Sequence, residues 1–340
     1  MGKKIFKQYP PPAGTVVEPG DADLGFLDGK VVAVIGYGTM GRAHALNLRR
    51  SGVEVVIGAR PGADSGNKAR LKGFDVLSVG EAVAAGDVVM LMLPDESMAT
   101  VYAQDIAPNL KSTAAMGFAH GFAIAFDQVL PDSGRPCFLV APKGQGDMLA
   151  EAHAAGSGVP GLLAVTEDSP VETWDLAASY ALAVGCLVGG GFVTTFRAEC
   201  VSDQFGEQVV LCGGVIELLK SAFDIMVAAG YDETNAYFEC VHELKLITDL
   251  LHRHGIDGMR DRVSGTAAYG GLTRGPRLID DRVRENMKRI LSEIEAGDFA
   301  EEFLRNHAET ENLARTEAES PLARTGHKVL PRLHPDGTND

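Results

Sequence analysis

The chain has few cysteines and no long apolar run. Its five cysteines (Cys137, Cys186, Cys200, Cys212 and Cys240) are scattered among 340 residues, and no CxxC pair occurs. A disulfide framework is not expected; reduced, mostly buried thiols in a cytoplasmic protein are. No stretch approaches the ~20 consecutive apolar residues of a membrane span, so no membrane partner is expected. Basic residues are outnumbered, 31 Lys and Arg against 46 Asp and Glu, for a formal net charge of −15. A chain without a basic stripe has little to offer nucleic-acid phosphates, and the acidity reads as solubility. The opening "MGKKIFKQYPPPAG" carries basic residues with no apolar core behind them, so no secretory signal is expected. "MGKKIF" also lacks the hydroxyl residue of a myristoylation signal.

What is present is ample core material, 45% hydrophobic residues, in a length that suits one large domain or two ordinary ones. Residues 1–28 are rich in Pro and Gly and read as an N-terminal arm. From Lys30 the pattern changes. "KVVAVIG", "VEVVIGAR", "DVLSV" and "DVVMLMLP" are strand-like runs, and helical stretches separate them. Strands that are apolar on both faces and alternate with helices predict a parallel sheet covered by helices. After about residue 195 the strand signals stop. "TTFRAECVSDQFGEQVVLCGGVIELLKSAFDIMVAAG", "AYFECVHELKLITDLLHRHG" and "DRVRENMKRILSEIEAGDFAEEFLRNHAE" all read as helix. The end, "SPLARTGHKVLPRLHPDGTND", is polar and should be mobile at its tip.

"VVAVIGYGTMGRAHALNL" sets Gly36, Gly38 and Gly41 as GxGxxG between an apolar strand and a helix. That framing gives the motif its meaning as a dinucleotide site. Gly36 permits the turn, Gly38 lets a pyrophosphate reach the backbone, and Gly41 lets helix and strand pack closely. The helix N-terminus then faces the phosphates. The bland alternative is a glycine-rich turn with no ligand. Near the end of the second strand, Arg60 and then Ser65 suit an adenosine 2′-phosphate, whereas Asp64 would repel one. The balance points to NADPH, with NADH open as the alternative. The sequence therefore divides into an arm over 1–28, an α/β Rossmann-like domain over 29–195, an all-α domain over 196–325, and a tail over 326–340.

Two of the helical stretches share an odd feature. Asp203, Glu207, Val210 and Leu211 repeat the spacing of Glu239, Glu243, Leu246 and Ile247. Each helix has two acids one turn apart, in line with an apolar stripe. Like charges at that spacing repel, and Lys220 and Lys245 lie off the acidic pairs. Acids without compensation suggest a cation between them, and oxygen donors without a His or Cys cluster suit Mg²⁺. Ordinary boundary residues that reach water are the other reading.

Taken together, "DADLGFLDGK", "VIGYGTMGRAHALNL", "LMLPDE", "IAPNLK", "FAHGF", "VAPKGQG", "GVPGLLAV", "DQFGEQVVLCGG", "AYFECVHELKLITDLL" and "TAAYGGLTRGPRLID" resemble the short (class I) ketol-acid reductoisomerase family over nearly the whole chain. The resemblance implies a Rossmann domain followed by a knotted all-α domain, and a homodimer at minimum with a shared active site. It implies Mg²⁺-dependent alkyl migration in 2-acetolactate or 2-aceto-2-hydroxybutyrate. Reduction by NADPH to a 2,3-dihydroxy-3-methyl acid would follow, in branched-chain amino-acid synthesis. Carried over by position, Asp203 would bridge two Mg²⁺ ions and Glu207 would bind one of them. Glu239 and Glu243 would come from the partner chain, Glu239 to support the second ion, Glu243 to bind substrate and shuttle a proton. Lys143 would orient water at the metals and stabilise the migrating alkoxide. His120 would lie near nicotinamide and substrate, Ser264 from the partner chain would hold the substrate carboxylate, and Ala267 would also meet the substrate. The cofactor would be held by Gly36, Tyr37, Gly38, Thr39, Met40, Gly41, Arg60, Ser65, Pro94, Asp95, His120 and Gly146. Two cations can polarise a carbonyl and generate the alkoxide beside it, and acids close to Mg²⁺ stay ionised.

The chain also departs from the family pattern. Gln145 stands for a proline, Asp147 for a histidine, Ala268 for a glutamate, Arg262 for a small hydroxyl residue and Gln204 for a leucine. Thr39, Met40 and Arg42 replace residues of the glycine-rich turn. These changes cluster near the expected site. A divergent paralogue acting on another keto acid is therefore the main alternative, and a non-catalytic NADP-binding protein a further one.

Overall fold

The computed structural model describes Phe6 and residues 9–334. They form two compact units, divided between Ser202 and Asp203.

The first unit is built on a nine-stranded sheet. Its strands are β1 (Val16–Val17), β2 (Val31–Ile35), β3 (Glu54–Gly58), β4 (Asp75–Leu77), β5 (Val88–Leu91), β6 (Ala115–Phe118), β7 (Cys137–Pro142), β8 (Gly161–Val165) and β9 (Gly191–Val193). Across the sheet they run β1-β9-β8-β7-β6-β5-β2-β3-β4. From β4 to β7 every pairing is parallel. β8 turns back antiparallel onto β7, pairing Phe138 with Val165. β9 runs parallel to β8, and β1 closes the edge antiparallel to β9. The expected N-terminal arm thus contributes a strand. Residues 1–5, 7 and 8 of that arm lie outside the described residues.

The order β4-β3-β2-β5-β6-β7 is that of a doubly wound dinucleotide fold, whose ligand crevice opens at the carboxyl ends of β2 and β5, where the winding reverses. β2 is an unbroken apolar run because both of its faces are covered. Val32 and Val34 join the cluster with Leu48, Phe138 and Tyr180. Ala33 and Ile35 join the opposite cluster with Val83, Leu91 and Met116. This is the period-2 alternation of a strand buried on both faces.

The second unit is helical throughout its described residues. Its longer helices are Gly214–Ala228, Glu243–Arg260, Gly265–Leu278, Asp281–Ala296 and Pro321–Leu333. The last runs into the segment read as a mobile tail, and residues 335–340 lie outside the described residues. Its buried cluster is small: Phe223, Ala236, Tyr237 and Val329.

The two acidic helices are less regular than their sequences imply. Glu207–Leu211 and Phe238–His242 are π turns, set into α-helical stretches. Cys212 N–H bonds to Glu207 O at 2.8 Å, and Glu243 N–H bonds to Phe238 O. Such wide turns are frequent at functional sites. The stretch 236–255, expected as one helix, also breaks at its end, where Gly255 adopts φ 70° and ψ −177°. Among the described residues, no helix is long and apolar enough to cross a membrane.

Candidate active site

The glycine-rich turn leaves β2 and enters the helix Thr39–Arg50. Gly36 has φ +100°, and a Cβ there would come within 2.4 Å of Met92 O. A Cβ on Gly41 would meet Gly36 O, also at 2.4 Å. Only glycine fits either place, so the turn is tight and strand and helix are pressed together. The helix therefore aims its unbonded N–H groups outward from the carboxyl end of β2.

Beside this turn lies a cavity of about 520 Å³. Tyr37, Gly38, Thr39 and Arg42 line one side, and Ser65, Lys68 and Lys72 the other. Ser65 lines it; Arg60 is exposed and not part of the lining. Asp64 is exposed in the first turn of the helix Asp64–Leu71, where the helix dipole favours a carboxylate. Sequence reasoning missed Arg42, Lys68 and Lys72. Their signal was the cluster of basic residues after β3 and at the start of the first helix.

The other expected cofactor and catalytic positions follow neighbouring strand ends. Pro94 caps the helix Asp95–Val101 beyond β5, and Gly146 opens the helix Gly146–Ala154 beyond β7. His120 follows β6 and Lys143 follows β7. Both meet a residue that the sequence reading overlooked, Glu199, on the helix Phe196–Gly206.

Glu199 is only 1% exposed. Its Oε1 accepts from Lys143 Nζ at 2.7 Å. Its Oε2 accepts from Gly121 N–H at 2.8 Å and lies 3.2 Å from His120 Nδ1. An unpaired buried carboxylate would cost several kcal/mol; here both oxygens are satisfied. Burial alone would push the carboxyl up. The His120 hydrogen bond and charge, with Lys143, outweigh it and hold Glu199 below the usual glutamate range. Burial likewise opposes charge on His120. Hydrogen bonds to Cys200 and Glu199, together with the Glu199 charge, reverse that and hold the imidazole well above the usual histidine range. The result is an ionised carboxylate that anchors two partly exposed cations at the rim of the sheet. Such a cluster can stabilise negative charge developing on an oxygen. Its sequence signal was available, since Glu199 precedes Asp203 by one helical turn.

In the second unit, Glu239 and Glu243 are exposed, and among the described residues neither is paired with a cation. Lys245 turns instead to Asp249, at 2.6 Å. The apolar stripe beside them is not core within a single chain: Leu246 is 51% and Leu211 66% exposed. Ser264 caps the helix Gly265–Leu278, its Oγ accepting from Ala267 N–H at 3.2 Å. The departures differ in their fates. Arg262 folds onto Gly258 O at 2.8 Å. Gln204 is buried, with its Oε1 lacking a hydrogen-bond partner among the described residues. Arg42 and Asp147 form an ion pair with each other.

Comparison with known proteins identifies the family. Residues 26–190 match the acetohydroxy acid isomeroreductase NADPH-binding domain, and residues 196–333 the ketol-acid reductoisomerase C-terminal domain. An NADH-preferring ketol-acid reductoisomerase from an uncultured archean is 38% identical, with a TM-score of 0.89 over 93% of this chain and 98% of that one. A semialdehyde dehydrogenase NAD-binding protein from Cupriavidus necator is 21% identical, with a TM-score of 0.59 over 78% of this chain and 97% of that one. A 1-pyrroline-5-carboxylate reductase from Streptococcus pyogenes is 15% identical, with a TM-score of 0.51 over 78% and 98%. The last two share the fold alone. With both domains matched and a relative of known structure along nearly its full length, the chain belongs to the ketol-acid reductoisomerase family and is an NAD(P)H-dependent oxidoreductase.

Proposed function

We propose that the protein carries out Mg²⁺-dependent alkyl migration in 2-acetolactate and 2-aceto-2-hydroxybutyrate, then reduction to the 2,3-dihydroxy-3-methyl acid with NADPH. The observation that carries this reading is the buried Glu199, which holds Lys143 and His120 beyond the strand ends, with Asp203 one turn further along its helix.

The donor set fits Mg²⁺. Asp203, Glu207, Glu239 and Glu243 offer only oxygen, which suits a hard cation, and Lys245 is engaged elsewhere. Asp203 would bridge two ions and Glu207 would hold one. Glu239 and Glu243 would come from a second copy, Glu239 to support the other ion. When bound, the ions supply Lewis-acid polarisation of the carbonyl and alkoxide oxygens; the nicotinamide supplies hydride. The chain's own groups do the rest. Lys143, fixed by Glu199, puts a positive charge where the alkoxide develops. Glu243 moves the proton. His120, tethered to Glu199, stands near the nicotinamide and substrate, and the Ser264 hydroxyl of the second copy holds the substrate carboxylate, with Ala267 beside it. Gly36, Gly38 and Gly41 admit the pyrophosphate.

The exposed stripes at Val210, Leu211, Leu246 and Ile247 support a homodimer that covers them. Reduced, buried Cys137, Cys186 and Cys200 suit the cytoplasm. Arg262 and Ala268, both departures beside Ser264, favour a second reading: a related keto acid as substrate. One assay panel separates the two. Purified protein with Mg²⁺ and NADPH is offered 2-acetolactate, 3-hydroxypyruvate and 2-ketopantoate. Turnover of 2-acetolactate that chelation abolishes supports the first reading. Turnover of the other two acids alone favours the second, and no Mg²⁺-dependent oxidation of NADPH on any of them defeats both.

A further inference from the structure

Arg42 is at an electrostatically awkward place. It lies in the first turn of the helix Thr39–Arg50, where the helix dipole disfavours a cation. A ligand anion at the same end would remove the conflict. Asp147 meets Arg42 from the helix Gly146–Ala154. The two helix ends are tightly apposed, for a Cβ on Gly146 would come within 2.4 Å of Thr39 O. Both partners of this pair are well exposed, so the pair adds little to stability. What it does is hold the guanidinium in one orientation.

We propose that Arg42, braced by Asp147, is a specificity-determining residue that grips the adenosine 2′-phosphate of the cofactor. The proposal rests on the reading of this unit as an NADPH site. Arg42 shares its cavity with Lys68 and Lys72, and among the described residues no carboxylate joins the lining. The cavity opens beyond β2 and β3, where a dinucleotide's adenosine ribose is read. A planar guanidinium can present two parallel N–H groups to one phosphate, which an ammonium cannot. The Tyr37 hydroxyl gives a second, independent sign. Tyr37 is 4% exposed, its oxygen has no hydrogen-bond partner among the described residues, and it lines the same cavity. A buried hydroxyl of that kind is a group prepared for a partner. Arg42 and Asp147 moreover touch each other. The second compensates the first when no phosphate is present.

Equilibrium binding of 2′,5′-ADP, 5′-ADP, NADPH and NADH to the purified full-length chain tests this. The parent should bind 2′,5′-ADP more tightly than 5′-ADP. Arg42→Gln should lower that preference, and the preference for NADPH over NADH, by about tenfold or more. Asp147→Asn should lower both by about threefold through lost orientation. An equal loss for the phosphorylated and unphosphorylated nucleotides would overturn the proposal. So would a parent that binds both ADP forms alike, and that result would leave the dinucleotide reading intact. A parent that binds none of the four would remove both. Should Arg42→Gln fail to fold, Lys68→Gln on its exposed helix reads the same ratio: a fall supports the shared 2′-phosphate pocket, and an unchanged ratio counts against it.

Discussion

The two units of the chain bury their apolar residues very differently. The first covers both faces of its sheet, with Val32, Ile57, Phe138 and Tyr180 fully enclosed. The second encloses a cluster of four, Phe223, Ala236, Tyr237 and Val329, and leaves Leu211, Leu218, Ile225, Leu246 and Leu272 half exposed or more. Each large apolar side chain buried contributes about 1.5–3 kcal/mol, and Phe223, Tyr237 and Val329, with Ile294 outside the cluster, are few against the ordering entropy of a domain. The first unit can stand as a finished cofactor-binding body. The second leaves a large share of its apolar side chains uncovered.

The largest expected effect separates the chemistry of the units. Asp203→Asn removes a charge from the helical unit, and isomerisation of 2-acetolactate should fall by about a thousandfold. NADPH binding, a property of the sheet unit, should stay within about twofold. Parent-rate isomerisation in this variant would mean that Asp203 does not hold the ions.

Next in size is assembly. Ile247→Asp places a charge on the exposed stripe, and any dimer should weaken by about a hundredfold or more in Kd. Sedimentation or light scattering would show it, with nucleotide binding retained. An unchanged assembly would show that this stripe is not the covered surface.

A smaller effect belongs to the sheet unit alone. His44 is fully buried against the Tyr180 hydroxyl, at 2.9 Å, and burial lowers its pKa to about 3. A group whose folded value is depressed stabilises the fold above its free value, usually about 6.5. That contribution drains as the pH falls from there towards 3. Between those limits the parent should lose stability, and His44→Gln should flatten the slope by about one proton. Identical slopes would show that other groups govern acid unfolding.

The smallest effect is at Gln204. Its buried Oε1 has no partner among the described residues, and leucine would remove that cost. Gln204→Leu should raise stability by about 1 kcal/mol, read as a higher thermal midpoint. A lower midpoint would mean that the amide serves a partner, such as a bound ligand or water.

The same contrast explains what was legible in the sequence. The sheet unit announces itself because buried parallel strands are unbroken apolar runs, and because GxGxxG needs glycine at Gly36 and Gly41 for steric reasons that read directly from the letters. β1 was hidden: two valines in a Pro-rich arm pair with Gly191 and Phe192, and nothing local encodes so distant a partner. Glu199 could have been found by stepping one turn back from Asp203. The Arg42–Asp147 pair could not, since its members are 105 positions apart and only the packing of two helix ends unites them. In the helical unit the acids and their stripes are legible, but what covers the stripes is not. Helical periodicity reports that a face will be covered without saying by which molecule.

The π turns at Glu207–Leu211 and Phe238–His242 carry one last implication. Each accommodates a single residue beyond what the regular ladder would hold. Excising that residue would tighten the backbone and rotate every downstream position by about 100° about the axis. Chain length within these two blocks is therefore as much a determinant of where the acids point as their identity, and a redesign that preserves the letters but not the count would aim them elsewhere.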